Sequence, residues 1–399
     1  MANTLKLGAG KWATGTDTVL AFNDLNNNFK PLAFSFSRAS SATVVNQSGL
    51  IETVGSGTPR IDFEGNTEGA LLLEPTRTNS ITYSKDFTSW TQADTSTISI
   101  ADSFDGSNNA YKVSIASAGG FQTIRNTGLS VSGVQTFTIY AKKDTLNFIR
   151  VLFGGHGNFW VDLVNGTQGT TTGAFSSINI TSAGNGFFKI VAIFTPTSAV
   201  TQVFLYPSIG NGNVSQTSGS VIFQYAQLEA GSYATSYIPT SGSAVTRVAE
   251  TSSQTTPDGV IGQTEGVLYC DVSGESPQEN SRYMSISNFN DGNKRLTIYQ
   301  SGGNLNVYCS AGATFNLIYA LPQGRLKIAV GYKSGDYVLY VNGTLAAVST
   351  ESAVVACSDV GIGVNEYLGT SNPPSVGYND LKLYNTRLSN AELASLTTI

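Results

Sequence analysis

Apolar residues recur along this chain at every second position, and no long stretch holds the three-to-four-residue spacing of a helix. Phe137, Ile139 and Ala141 alternate with other residues. Ile149, Val151 and Phe153 follow, then Phe187 to Phe194, Val203 with Leu205, and Val221 to Tyr225. Turns such as Asn165-Gly166 and Gly184-Asn185-Gly186 separate these runs. Alternation sends one face of a strand into a core and the other to solvent, so the span predicts two packed antiparallel sheets. The run Phe187 to Phe194 (FFKIVAIF) is apolar on both faces and predicts a central strand covered on both sides.

The last third alternates more regularly still. GVLYCDVS, RYMSISNF, RLTIYQ, NLNVYCS, RLKIAVGY and DYVLYVNGTLAAV read as successive strands. Gln300 to Gly303 and Ser334-Gly335 make hairpin turns, and Asn342-Gly343 is the strongest short hairpin signal. Asp380 to Tyr384 is one more strand, and Ser389 with Glu392 spells a capping box opening a short closing helix. The first region has mixed texture. Polar Asn23 to Lys30 separates two apolar runs, and Val44-Val45 pairs with Leu50-Ile51 across the Asn46 to Gly49 turn. Ile61 to Phe63 and Leu71 to Leu73 form a second extended pair. From Tyr225 to Arg247 the alternation fades through Ile238-Pro239 into the small-residue run Thr240 to Ala244, which predicts a domain boundary. The expected class is all-β, with tandem antiparallel β-sandwiches after a small extended N-terminal module. The expected divisions are residues 1–79, 80–240 and 249–399.

Composition sharpens this picture by exclusion. Only 12% of the 399 residues are charged, and a net charge of −5 without a Lys/Arg cluster argues against nucleic acid as a partner. No apolar run approaches the ~18 residues of a membrane helix, so membrane insertion is not expected. The N-terminus lacks the apolar core of a signal peptide, which gives the expectation of a protein finished in the cytosol. Cys270, Cys309 and Cys357 are odd in number and confined to the last third, so buried free thiols are expected. The lone His156 excludes a multi-histidine metal site. It also leaves a serine nucleophile without a base in any recognisable elbow. Glu275 and Glu279 flank Pro277, and Asp291 stands without a partner carboxylate. Catalysis is therefore not expected. Arg38, Arg60, Glu74 and Arg77 could suggest an active site, but a structural ion pair between Glu74 and one of the arginines explains them better.

Several phrases resemble known modules. R-A-S-x-A-T (Arg38 to Thr43), G-L-I-E (Gly49 to Glu52), P-R-I-D-F (Pro59 to Phe63) and L-L-L-E-P-x-R-T-N (Leu71 to Asn79) resemble a module of phage structural proteins. The closing Q-L-E-x-G to T-R segment resembles the end of carbohydrate-binding-type jelly rolls in phage fibres, as does the Tyr83 to Trp90 opening. Arg325 to Tyr332, Tyr337 to Gly343, Gly361 to Gly363 and Leu383 to Leu393 resemble a concanavalin A-like, laminin-G-type sandwich.

These resemblances imply a bacteriophage fibre or spike protein, docked by its N-terminal region on capsid or tail proteins. It would be a homotrimer, located in the virion and assembled in the host cytoplasm, and would contact a host cell-surface glycan. The alternatives are a head-decoration fibre without ligand and a bacterial surface polysaccharide-binding protein. Jelly rolls of this type stack aromatic rings on sugars, which points to Trp160 with Asp162, Asn158 and His156, and to Trp90. In the last third the candidates are Tyr299, Tyr308, Tyr367 and Tyr378. Laminin-G-type domains bind calcium in rim loops, for which Asn290, Asp291 and Asn293 are the candidates, although a tight Asx turn explains them equally. No other cofactor is expected.

Overall fold

The computed structural model describes residues 5–23, 30–93, 96–115, 122–215, 217–256, 259–274, 280–289, 291, 293–365 and 370–399. The chain is all-β and divides into two compact units. One joins Met1–Thr76 to Val248–Ile399; the other is Arg77–Arg247, spliced between them in sequence. The separate N-terminal module expected over residues 1–79 is corrected by this arrangement. Leu5–Gly8 pairs with Val376–Tyr384, Lys30–Ser37 with Thr251–Thr255, and Ala70–Leu73 again with Val376–Tyr384. Leu5, Leu7, Val19, Phe34, Phe36, Leu71 and Leu73 share one core with Leu268, Ile286, Ile298 and Val330. The N-terminal strands are short and cannot bury both faces alone, so they complete the C-terminal sandwich instead.

In this first unit one layer runs Thr344–Ser349, Tyr337–Val341, Leu326–Lys333, Glu265–Ser273 and Val376–Tyr384. The facing layer runs Thr251–Thr255, Asp359–Ile362, Arg282–Ser287, Lys294–Ser301, Asn304–Ala311 and Ala313–Ala320. The Asn342-Gly343 hairpin forms as expected, both residues taking positive φ (49° and 80°), which matches the twist of the flanking strands. The helix Asn390–Thr397 opens on the predicted box, with Ser389 and Glu392 capping each other reciprocally. No helix among the described residues is long and apolar enough to cross a membrane. All three cysteines are buried free thiols.

Four charged side chains close this unit from inside. Arg60 donates to Glu250 Oε1 at 2.8 Å and pairs with Glu74 Oε2 at 2.9 Å; Arg38 Nη1 meets Glu250 Oε1 at 2.7 Å. All four are essentially excluded from solvent. Burial alone would lower the Arg60 pKa, but Glu250 and Glu74 outweigh it and push it up. The expected Glu74–arginine pair is therefore present, joined by a Glu250 that the sequence did not single out.

The second unit is two six-stranded antiparallel sheets. The first runs Thr91–Ala93, Thr123–Val131, Val200–Ser208, Phe148–Phe153, Gly157–Asp162 and Thr167–Gly173. The second runs Ser96–Ala101, Ala110–Ile115, Gly219–Ala230, Gln135–Lys143, Phe187–Phe194 and Phe175–Gly184. Phe137, Ile139, Ile149, Val151, Phe153, Phe159, Val161, Phe194, Leu205 and Phe223 fill the space between them. Phe187–Phe194 is next to the sheet edge rather than central. On its outer side Phe187 is buried but Val191 and Ile193 are only half-buried, so the two-sided cover predicted for it is partial. The segment expected as a boundary also folds into this unit. Tyr233 and Ile238 are buried, Asn79 Nδ2 donates to Ile238 O at 2.8 Å, and Thr240 N donates to Ser84 Oγ at 2.8 Å. Only the small residues 241–244 after them stay largely exposed.

Candidate functional site

Alternation on the first sheet of the inserted unit fixes what its outer face displays. Ile124, Ile149, Val151, Phe159, Val161, Val203 and Leu205 point inward, so Arg125, Arg150, Trp160, Phe204 and Tyr206 point outward. Register then makes a checkerboard. Arg150 lies directly between Trp160 and Tyr206 on its two neighbouring strands, and Arg125 lies opposite Phe204. The Arg150 guanidinium stands over Trp160 at 5.7 Å and over Tyr206 at 5.2 Å, and Arg125 stands over Phe204 at 5.8 Å. Phe204 and Tyr206 stack at 6.3 Å with 20° between their planes. These are cation–π distances, so each guanidinium lies within reach of a ring face.

The arginines cover the rings. Trp160 is 5% and Tyr206 4% accessible, while Arg125, Arg150 and Phe204 are half-buried. Trp160 was expected as an open platform for a sugar; that reading is corrected, because the guanidinium of Arg150 and not the indole faces outward. Burial raises the Tyr206 phenol above its ordinary value, while Arg150 and Arg125 pull it back. Neither Arg125 nor Arg150 makes a hydrogen bond or ion pair among the described residues, and the Nε of each is buried without a partner, as is Gln202 Oε1.

Asp162, two residues beyond Trp160, is occupied otherwise. It accepts from Val164 N at 2.8 Å and from Asn165 Nδ2 at 2.9 Å, closing the turn after its strand. Burial would raise its pKa, but these hydrogen bonds prevail and hold it below the usual carboxylate range. Asn158 donates to Thr172 Oγ1 on the edge strand at 2.6 Å, and His156 Nε2 lies 3.3 Å from Ala199 O. Trp90 is buried, with its Nε1 donating to Tyr83 O at 2.8 Å.

The other unit repeats the arginine-over-ring contact. Tyr299 and Tyr308 sit half-buried on adjacent strands of an outer face, with Arg282 over the first at 4.8 Å and Arg295 over the second at 4.7 Å. Arg282 Nη1 is already donating to Asn280 O, and Asn316 Nδ2 reaches the Tyr299 hydroxyl at 3.4 Å. Tyr378 does not join them. It is fully buried in the core, its hydroxyl donating to Tyr283 O at 2.8 Å, so its expected place at a ligand is corrected. Asp291 Oδ1 accepts from Asn293 N at 3.0 Å, the geometry of an Asx turn. Asn290 and Tyr367 lie outside the described residues. Among the described residues no group of three His, Cys, Asp or Glu side chains is placed to hold a metal.

One pairing escaped sequence reading altogether. Asp271 and Asp380, far apart in the chain, are direct cross-strand partners in a polar cleft of about 780 Å3. Glycoside hydrolysis uses paired carboxylates, and here each has a basic partner. Asp271 is gripped by Arg325 at 2.8 and 2.6 Å, and Asp380 Oδ2 pairs with Lys382, while its Oδ1 is buried without a hydrogen-bond partner and burial raises its pKa.

No family model matches this chain, and no curated protein does. Solved structures do. The CBM40 of the Ruminococcus gnavus IT-sialidase, bound to alpha2,3 sialyllactose, aligns at 20% identity and TM-score 0.31 over 34% of this chain and 84% of its own. Domain 4 of AbnA, a GH43 extracellular arabinanase from Geobacillus stearothermophilus in complex with arabinotriose, aligns at 16% and 0.32 over 38% and 73%. The binding domain of botulinum neurotoxin serotype G aligns at 11% and 0.31 over 37% and 40%. At these values the likenesses carry no residue and no ligand over to this chain.

Proposed function

We propose that this chain is a non-catalytic glycan-binding protein whose primary site is the outer face of the inserted unit's first sheet. The observation that carries the reading is the arginine–aromatic checkerboard itself. Two half-buried guanidinium groups stand over rings, with no acceptor among the described residues to satisfy them. Donors without a protein partner can meet a ligand's acceptors without first giving up an existing contact. Saccharides present the oxygens that would accept from them. The grip of Arg325 on both oxygens of Asp271 supports the non-catalytic part of the reading, because it leaves that carboxylate tied to a cation.

On a virion this binder would be the adhesive part of a fibre, the role implied by the resemblance at Arg38 to Asn79 and Tyr225 to Arg247. As a surface polysaccharide-binding protein it would work without a particle. Since residues 5–73 supply strands to the first unit, virion docking would fall to a face of that sandwich rather than to a free module. A glycan array with the full-length chain tests the binding reading: saturable binding to at least one glycan is expected, and binding to none refutes it. Light scattering separates the two settings, a trimer favouring the fibre and a monomer the particle-free binder.

A further inference from the structure

We infer that the saccharide taken by this face is acidic, its carboxylate or sulfate groups received by Arg150 and Arg125. The inference rests on the glycan-binding reading and adds the charge class of the ligand. Three observations carry it. First, the rings of Trp160 and Tyr206 are closed off beneath Arg150, so a neutral sugar finds little aromatic surface on which to stack, whereas an anion meets a guanidinium. Second, the charged residues on the six strands of this sheet are Arg125, Arg150 and Asp162, and Asp162 is held in its own turn. The face therefore carries an uncompensated positive charge on a chain whose net charge is −5. Third, the two arginines are fixed relative to each other. They lie two strands and two residues apart in register, roughly 12 Å between Cα atoms from ordinary strand spacing and rise. That span suits acidic groups on separate units of one oligosaccharide better than a single small anion. Planar guanidinium forks favour bidentate contact with carboxylate or sulfate oxygens, which a lysine in the same place would not reproduce.

The test titrates the full-length chain, in about 0.15 M salt, with three probes: an oligogalacturonate for carboxylate, dextran sulfate for sulfate and unmodified dextran for a neutral control. The array of neutral and acidic glycans is run beside it. Expected is saturable binding to at least one acidic probe, weakened at least tenfold in Arg150→Gln and in Arg125→Gln. Arg150→Lys should recover only part of that loss, and Lys333→Gln, on the other unit, should match the native chain. Which acidic probe binds distinguishes carboxylate from sulfate. Circular dichroism and melting of each variant establish that it folds. Binding confined to neutral glycans, or acidic binding indifferent to both glutamine variants, overturns the inference while leaving glycan binding intact. Binding to nothing overturns both.

Discussion

The two units of this chain treat arginine in opposite ways. In the first, Arg38 and Arg60 are sealed from solvent and neutralised by Glu74 and Glu250. In the second, Arg125 and Arg150 lie on an outer sheet face over aromatic rings, with no ion-pair partner among the described residues. A guanidinium that has found its carboxylate inside the protein has a structural job. One on an outer face without a counter-charge among the described residues keeps hydrogen-bonding capacity to offer, which is the ground of the proposed site. The face with Tyr299 and Tyr308 stands between these cases: it has the stacking, but Arg282 is already donating to a backbone oxygen.

The sharpest way to break this contrast is to remove Glu250. Glu250→Ala takes from buried Arg38 and Arg60 the carboxylate that both contact, which is expected to cost the first unit about 3–5 kcal/mol. Calorimetry of the full-length variant should show one transition moved down strongly, with the Arg77–Arg247 transition and saccharide affinity nearly unchanged. A single transition moving as a whole would mean that the units do not unfold independently. Arg150→Gln should do the reverse. Losing its contacts with two rings is expected to change stability by about 1 kcal/mol or less, while acidic-saccharide binding falls steeply. If Arg150→Gln instead unfolds the inserted unit, the arginine is part of the packing and the contrast fails. Smaller still is the effect expected at the intermediate face. The double variant Arg282→Gln, Arg295→Gln should alter acidic-saccharide affinity less than about threefold, and a larger loss in the same titration would make that face a second site.

Local order was legible in the sequence because alternation and turn chemistry are local. The strands, the Asn342-Gly343 hairpin and the Ser389–Glu392 cap appear where their residues place them. Long-range partnership was not legible. Nothing near Leu5 or Leu71 says that both strands pair with Val376–Tyr384, so a chain passing once out of a sandwich and back read as three modules. The same limit applied to the site. Trp160 was found by its residue type, but Arg150 and Tyr206, 10 residues before and 46 after it, meet it only through register. Alternation gave a usable signal that was passed over: Arg150 stands between Ile149 and Val151, an outward charge within an inward apolar run. Tyr378 failed for the opposite reason. An aromatic near a predicted rim carries no mark of which face it takes, and its hydroxyl found a backbone acceptor in the core.

Buried acids extend the contrast to its smallest measurable consequence. Glu229 of the inserted unit is as deeply buried as Glu250, but in its ion pair with Arg77 the Nε stands off at 3.8 Å. Its close partners are Thr235 N at 2.9 Å, Thr235 Oγ1 at 2.6 Å and Gln227 Nε2 at 2.9 Å. Burial raises its pKa above 4.5, and these donors only partly oppose that. The native state therefore holds a proton at Glu229 that the unfolded chain has already released. From about pH 4.5 up to the folded pKa, this group makes stability fall as pH rises. Denaturant midpoints followed by the fluorescence of Trp90 and Trp160, both in this unit, should show that slope. Glu229→Gln should flatten it, whatever it does to the midpoint itself. An unchanged slope in the glutamine variant would mean that Glu229 is ionised throughout, compensated by Arg77 and Arg247 as Glu250 is by its own arginines. The two units would then handle their buried acids alike, and the contrast would be confined to the arginines of the outer face.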